Sequence, residues 1–240
     1  MLKSIKTMGL IFTYIYSALL WAYIVLFFAL VPIFAFPFSL IFGFRRSFRF
    51  FFKFFIRSGL MIFGCTTAIS GIENIPKGKN VILISNHPSF FDPFLINAAL
   101  PGFFNFIVFA RVLENPYSML TIRLMDVVVR GSGHLLSGSS TIIKTVKAAN
   151  SGDSFILFPS ERVIPEGNIE KIRPGLYSII EQTNVAILPV FIKQDFRFKF
   201  LKKPFRAQVF IGKPLDRQHI LYGKDNAVRQ AIASLPSQDS

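Results

Sequence analysis

Cysteine is nearly absent from this 240-residue chain. Cys65 stands alone, so no internal disulfide can form and nothing in the chain requires an oxidising compartment. Histidine is scarce too: one Cys and three scattered His cannot assemble a Cys/His zinc site, so no metal is expected. Acidic residues are outnumbered, 13 Asp plus Glu against 27 Lys plus Arg, a formal charge of +14 that favours an anionic partner. Charged residues make up only 17% of the chain against 52% hydrophobic, which excludes a disordered polypeptide and points to a membrane. The most telling absence is local. Between Lys6 and Arg45 there is no Asp, Glu, Lys or Arg, a run far longer than the ~20 residues that span a bilayer. It also exceeds the ~7–15-residue apolar core of a cleaved signal and lacks a small-x-small cleavage site, so it is expected to stay on the protein.

Pro32 and Pro37 fall inside this run. Each removes a helix N–H and disfavours helix in the residue before it, so a break is expected: a single span ending near Val31, or a shallow hairpin turning at the prolines. Immediately downstream, Arg45, Arg49, Lys53 and Arg57 recur at every fourth position while Phe fills most of the places between. On a helix these cations form one slowly drifting stripe. A helix with a basic edge and an aromatic bulk suits the headgroup layer of an anionic phospholipid membrane, each cation there contributing about 1 kcal/mol. An ordinary helix packed on a core is the competing reading. Two lysines precede the run and five basic residues follow it, so the positive-inside bias places residues 45 onward on the cytoplasmic side.

From about Cys65 the pattern changes to short β-rich runs separated by polar, helix-compatible stretches, which predicts an α/β fold with a mixed sheet flanked by helices. Strands are expected at 66–70, 81–85, 104–109, 126–130, 155–158, 185–191 and 207–211, and helices at 93–100, 139–149 and 175–182. The chain divides into membrane-anchoring helices over 1–63 and an α/β domain over 64–240. The Gly/Ser-rich surroundings of His134 read as a flexible loop without the order of a nucleotide-binding P-loop. Residues 196–206 alternate Phe with cations, as a half-buried strand does. No zinc-finger, RNP-like aromatic or helix-turn-helix signature accompanies the positive charge, so nucleic acid is not expected as a partner.

The chemistry gathers in residues 81–100, VILISNHPSFFDPFLINAAL. The apolar run 81–85 suits a buried strand. Pro88 keeps His87 out of helical geometry, on the loop leaving that strand, and Pro93 suits a first helical position, which makes Asp92 the N-cap. A His and an Asp five residues apart thus meet at one strand-to-helix corner. The carboxylate there can bond one ring nitrogen while the other faces a cleft, giving a base and its orienting partner without a serine nucleophile. Taken alone this spacing is equally that of a helix cap beside a polar loop residue.

The block Asn86-His87-Pro88-Ser89-Phe90-Phe91-Asp92 resembles the His-x4-Asp block of the glycerolipid acyltransferases. Gly-Ile-Glu-Asn-Ile-Pro (71–76), Phe158-Pro159-Ser160-Glu161-Arg162, Arg173-Pro174-Gly175, Ile187-Leu188-Pro189-Val190 and the stretch 209–215 resemble further blocks of that family in the same order. The resemblance covers about residues 65–216. It implies that His87 is the general base on the free hydroxyl of a lysophospholipid, lysophosphatidic acid first, with acyl-CoA or acyl carrier protein as acyl donor and Asp92 orienting the imidazole. It implies no cofactor beyond that co-substrate and no acyl-enzyme. Acceptor binding would fall to Arg111, Arg130, Ser160, Glu161 and Arg162. The third block departs from the family pattern, being one residue shorter between Pro and Arg and lacking Gly, so Ser160 and Glu161 both stand for its glutamate. In the second block Leu124 replaces Gly and Arg111 replaces Lys. Another acceptor, namely glycerol 3-phosphate, a different lysophospholipid or an aminoacyl lipid, and a catalytically silent lipid-binding protein stay open on those departures.

Overall fold

The structure, a computed structural model, describes residues 2–109, 128–130, 134–160, 163–164, 168–170, 172–194 and 206–235. In chain order it comprises α1 (Leu2–Phe42), α2 (Phe44–Ile62), β1 (Thr66–Ser70), a 3-10 turn (Ile72–Asn74), β2 (Val81–Ser85), α3 (Asp92–Ala99), β3 (Phe104–Asn105), β4 (Ile107–Phe109) and β5 (Val128–Arg130). There follow α4 (His134–Asn150), β6 (Ser154–Leu157), α5 (Pro174–Gln182), β7 (Ala186–Gln194), β8 (Arg206–Ile211) and α6 (Arg217–Ala233).

Strand β2 sits inside the main sheet, whose order is β1-β8-β7-β2-β6-β3. Its five residues are all buried because both faces of the sheet are covered. Val81 and Leu83 enter a core shared with α1, α2 and α3, while Ile82 and Ile84 enter one shared with α4, α5 and α6. Strands β7, β2, β6 and β3 run parallel, and β8 turns back antiparallel to β7 with β1 parallel beside it. The sheet is mixed, as expected. The carboxyl ends of β2, β6 and β7 therefore share one edge, the edge where open α/β sheets place their ligands.

Two expectations are corrected here and one unforeseen helix is added. The strand at 104–109 is two short strands: β3 pairs with β6, and after Phe106 the chain leaves to pair β4 with β5 in a separate parallel ribbon. Phe106 is buried and packs on Phe94 of α3, which holds the chain at that crossover. Residues 134–138 begin α4 rather than forming a loop around His134. Residues 217–233 form α6, capped by the Asp216 carboxylate on the Gln218 N–H.

The prolines do not break α1 either. The helix runs on through Pro32 and Pro37 to Phe42, and the turn falls at Gly43, whose φ of 80° suits a residue without Cβ. Packing supports the proline-containing stretch: Val31 and Ala35 are fully buried, and Phe34 and Phe38 meet the Phe51 ring of α2 at 6.0 and 5.1 Å. Prolines persist in apolar helices where a neighbouring helix supplies such contacts. Further along, Tyr23 lies so close that a methyl group added at Gly59 would sit 2.5 Å from its ring. The segment Ile11–Phe42 is long and apolar enough to cross a membrane.

Helix α2 links this hairpin to the domain. Phe52, fully buried, meets Phe27 of α1 at 5.5 Å and Phe94 of α3 at 5.8 Å. The basic stripe faces the domain, where the expectation had it facing headgroups. Lys53 donates to the carbonyls of Leu100 (2.7 Å) and Gly102, and Arg57 to that of Ala98 (2.7 Å), satisfying and complementing the carboxyl end of α3. Arg45 and Arg49 pair with Asp153 at 3.3 and 3.1 Å, and Arg49 lies over the Phe103 ring. The outward face of α2 carries Phe50, Phe54 and Met61, which with Lys53, Arg57 and Ser58 line an open groove of about 350 Å³.

Candidate active site

His87 follows β2, and the sequence fixes its loop on three sides. The buried Asn86 side chain acts as an extra ladder rung, accepting from the Ile192 N–H (2.7 Å) and donating to the Ile192 carbonyl (2.8 Å) of β7. The Ile164 N–H donates to the His87 carbonyl at 2.9 Å. Ser89 closes the turn, its carbonyl accepting from the Asp92 N–H and its hydroxyl from the Phe91 N–H. With Pro93 in its first turn, α3 then starts at Asp92. Asn97 pins this helix to β3 by bonding both the N–H and the carbonyl of Phe104.

His87 Nδ1 lies 2.7 Å from Asp92 Oδ2. The aspartate is wholly buried, while the imidazole keeps 12% of its surface exposed. Asp92 was expected as the cap of α3. Its carboxylate turns away from the helix, accepting from His87, from the Ser89 N–H at 3.0 Å and from the Gln194 side-chain amide. Burial pushes the Asp92 carboxyl above the usual aspartate range, while the hydrogen bond and charge of His87 and the Ser89 N–H pull it down. Since a carboxylate only accepts, Nδ1 carries the proton and Nε2 presents a lone pair. No described residue hydrogen-bonds Nε2.

Phe158, at the end of β6, stacks on the imidazole with centroids 3.9 Å apart and planes 20° apart. Phe90, 70% exposed, meets the ring edge-on at 6.3 Å. The base thus sits against one aromatic face, with a second ring across its edge, at the rim of the sheet. Ser160, two residues past Phe158, is buried beside the same edge. Arg130 ends β5, its backbone in register with Phe109. The side chain of Arg130 and the whole of Arg111, Glu161 and Arg162 lie outside the described residues, as do residues 196–205.

Two partners of the site escaped sequence reading. Phe158 was visible only as a member of its block. Gln194 had a signal: Leu188, Val190 and Ile192 alternate onto the core face of β7, and Gln194 continues that register as a polar residue. Three of the remaining blocks, 71–76, 187–190 and 209–215, hold the sheet together. Asn74 donates to the Ile211 carbonyl (2.8 Å), the Gly212 N–H to that of Pro189 (2.9 Å) and the Leu215 N–H to that of Ile187 (2.8 Å), tying β1, β7 and β8 together.

Comparison with known proteins bears on this constellation. The Acyltransferase family model matches residues 66–193. A 1-acyl-sn-glycerol-3-phosphate acyltransferase of Borreliella burgdorferi is 28% identical over 139 residues, 56% of this chain and 54% of that protein. The chain thus matches about half the length of that curated relative. The crystal structure of the 1-acyl-sn-glycerophosphate (LPA) acyltransferase PlsC from Thermotoga maritima superposes with a TM-score of 0.71 at 22% identity, covering 95% of this chain and 98% of that one, a likeness of fold.

Proposed function

This chain belongs to the acyltransferase family, and from that premise we propose that it moves a fatty acyl group from an acyl thioester, acyl-CoA or acyl carrier protein, to the free hydroxyl of a lysophospholipid, lysophosphatidic acid before others. The observation that carries the reading is the 2.7 Å contact of His87 Nδ1 with the buried Asp92 carboxylate, which leaves Nε2 as the base. The acceptor O–H gives its proton to Nε2 as its oxygen attacks the thioester carbonyl. The tetrahedral intermediate then expels the thiolate, which takes the proton back from the imidazolium and leaves as thiol. Asp92 stabilises the transient imidazolium, and stacking on Phe158 limits tilting of the ring. Similarity to the Borreliella protein favours lysophosphatidic acid as acceptor and phosphatidic acid as product.

The apolar α1 suits a membrane anchor, with the α/β domain on the cytoplasmic side as the flanking charge argues. The anionic phospholipid surface would meet α2 at Phe50, Phe54 and Met61, with Lys53 and Arg57 in the groove between them. Acceptor phosphate would fall to Arg111, Arg130 and Arg162, guanidinium groups suited to a phosphate fork, and the rest of the acceptor to Ser160 and Glu161. The test is to give membranes containing the chain a labelled acyl thioester and a panel of acceptors: lysophosphatidic acid, glycerol 3-phosphate, other lysophospholipids and an aminoacyl lipid. Phosphatidic acid, identified by mass, is the expected product; label in another acceptor reassigns the headgroup, and label in none removes the reading.

A further inference from the structure

We infer that Gln194 is a positioning residue for this site, holding Asp92 ionised and aimed at His87. The inference rests on the acyl-transfer reading of the His87 site. Asp92 is wholly buried, and a lone buried carboxylate tends to take up a proton instead of accepting from the imidazole. Its Oδ2 has two donors, His87 Nδ1 and the Ser89 N–H. Its Oδ1 has one, the Gln194 amide. A carboxylate accepts and does not donate, so the amide must turn its NH2 towards Asp92 and its carbonyl away. That carbonyl oxygen, Oε1, is buried without a partner among the described residues. An unpaired buried acceptor is costly, and the amide keeps this orientation although no described residue compensates Oε1. The bond to Asp92 is therefore what holds the side chain in place.

The position in the chain serves the same end. β7 extends four residues beyond the Val190–Ser85 pair that ends its ladder with β2, and the Asn86 side chain prolongs the pairing to Ile192. Gln194, two residues on and on the same face of the strand, arrives over the first residue of α3. Strand, loop and helix each contribute one group to the site: the amide, the imidazole and the carboxylate. Among the described residues His87 is the titratable group bearing on Asp92, with the Ser89 N–H and the Gln194 amide as its neutral partners.

Two variants of the full-length chain in membranes test this, Gln194→Leu and the nearly isosteric Gln194→Glu, with kcat, KM and the pH profile as readouts. Loss of one charge-assisted donor is expected to lower kcat about ten-fold or more with KM nearly unchanged, and to move the acid limb of the profile to higher pH in Gln194→Leu. In Gln194→Glu the introduced carboxyl can donate only while protonated, so the deficit relative to the parent chain should deepen as pH rises. A reading independent of turnover is the difference in melting temperature between the parent and Gln194→Leu. It should be largest where Asp92 is ionised and shrink on acidification as the carboxylate takes its proton. Unchanged kcat and pH profile, or a melting difference constant with pH, would overturn the role. If the parent chain acylates no acceptor, the acyl-transfer reading falls while the melting difference still decides the link between Gln194 and Asp92.

Discussion

Burial works against the ionised form of Asp92, the form that its proposed role needs. A raised carboxyl pKa means that folding disfavours the ionised form: the corresponding stability is present at low pH and lost as pH rises through the native value. The proposed acyl transfer needs the opposite state, since only the carboxylate accepts from Nδ1 and would stabilise the imidazolium. The acid limb of kcat/KM, a property of the His87–Asp92 pair, is therefore expected above the ~4 of an exposed aspartate. Asp92→Asn should cost about 10- to 100-fold in kcat, the worth of a charge-assisted hydrogen bond, with no loss of melting temperature at neutral pH. An unimpaired rate would make Asp92 a scaffold residue. This pair was legible in the sequence because its chemistry is local, five residues around two prolines. Gln194 was not, because 102 residues separate it from its partner and only the β7–β2 pairing brings them together.

Among the elements, α2 is the hinge of the account, and Phe52 is its centre. The ring lies fully buried against Phe27 of α1, Phe94 of α3 and Phe103, so one side chain links the apolar helix to the helix that carries Asp92. Phe52→Ala should lower the stability of the full-length chain by about 3–5 kcal/mol, measured by thermal or denaturant unfolding in detergent, and an unchanged transition would show that the helices dock without it. The sequence revealed that α2 is amphipathic but not which surface its cations serve. A stripe of Arg and Lys suits phosphate headgroups and helix carbonyls equally, and only the position of the carboxyl end of α3 decides between them. Strand β2 was readable to the residue because a strand buried throughout leaves an unbroken apolar run, and β1 because β-branched residues stand at three of its five positions. The course of α1 through its prolines was not readable, since local backbone rules argue for a break there and contacts with α2 override them. Helix α6 was hidden by weak amphipathicity, interrupted at Lys224, where φ is 43°.

At the scale of the whole molecule, α1 is about 60 Å long at 1.5 Å per residue, roughly twice the ~30 Å hydrocarbon layer. One face packs on the body of the molecule from Tyr16, whose hydroxyl donates to the Phe63 carbonyl at 2.8 Å, to Phe38 on Phe51, while the opposite face exposes Ile11, Phe12, Ile15, Leu19, Leu26 and Ile33. One face of the helix thus belongs to the packed body and the other is open along its length, as the proposed membrane anchor requires. The single native thiol makes the orientation testable. In a Cys65→Ser background, Tyr222→Cys places a reporter at a site 87% exposed on α6. A membrane-impermeant maleimide is expected to label it only after the cytoplasmic face is opened; labelling of intact cells would reverse the proposed topology. The central claim is that one imidazole draws the proton from the acceptor alcohol, and it is tested most directly by His87→Ala. In isolated membranes with matched protein levels and a labelled acyl thioester, transfer to the lysolipid should fall by about 10²–10⁴-fold while the chain stays membrane-bound, whereas a rate equal to that of the parent would contradict the account.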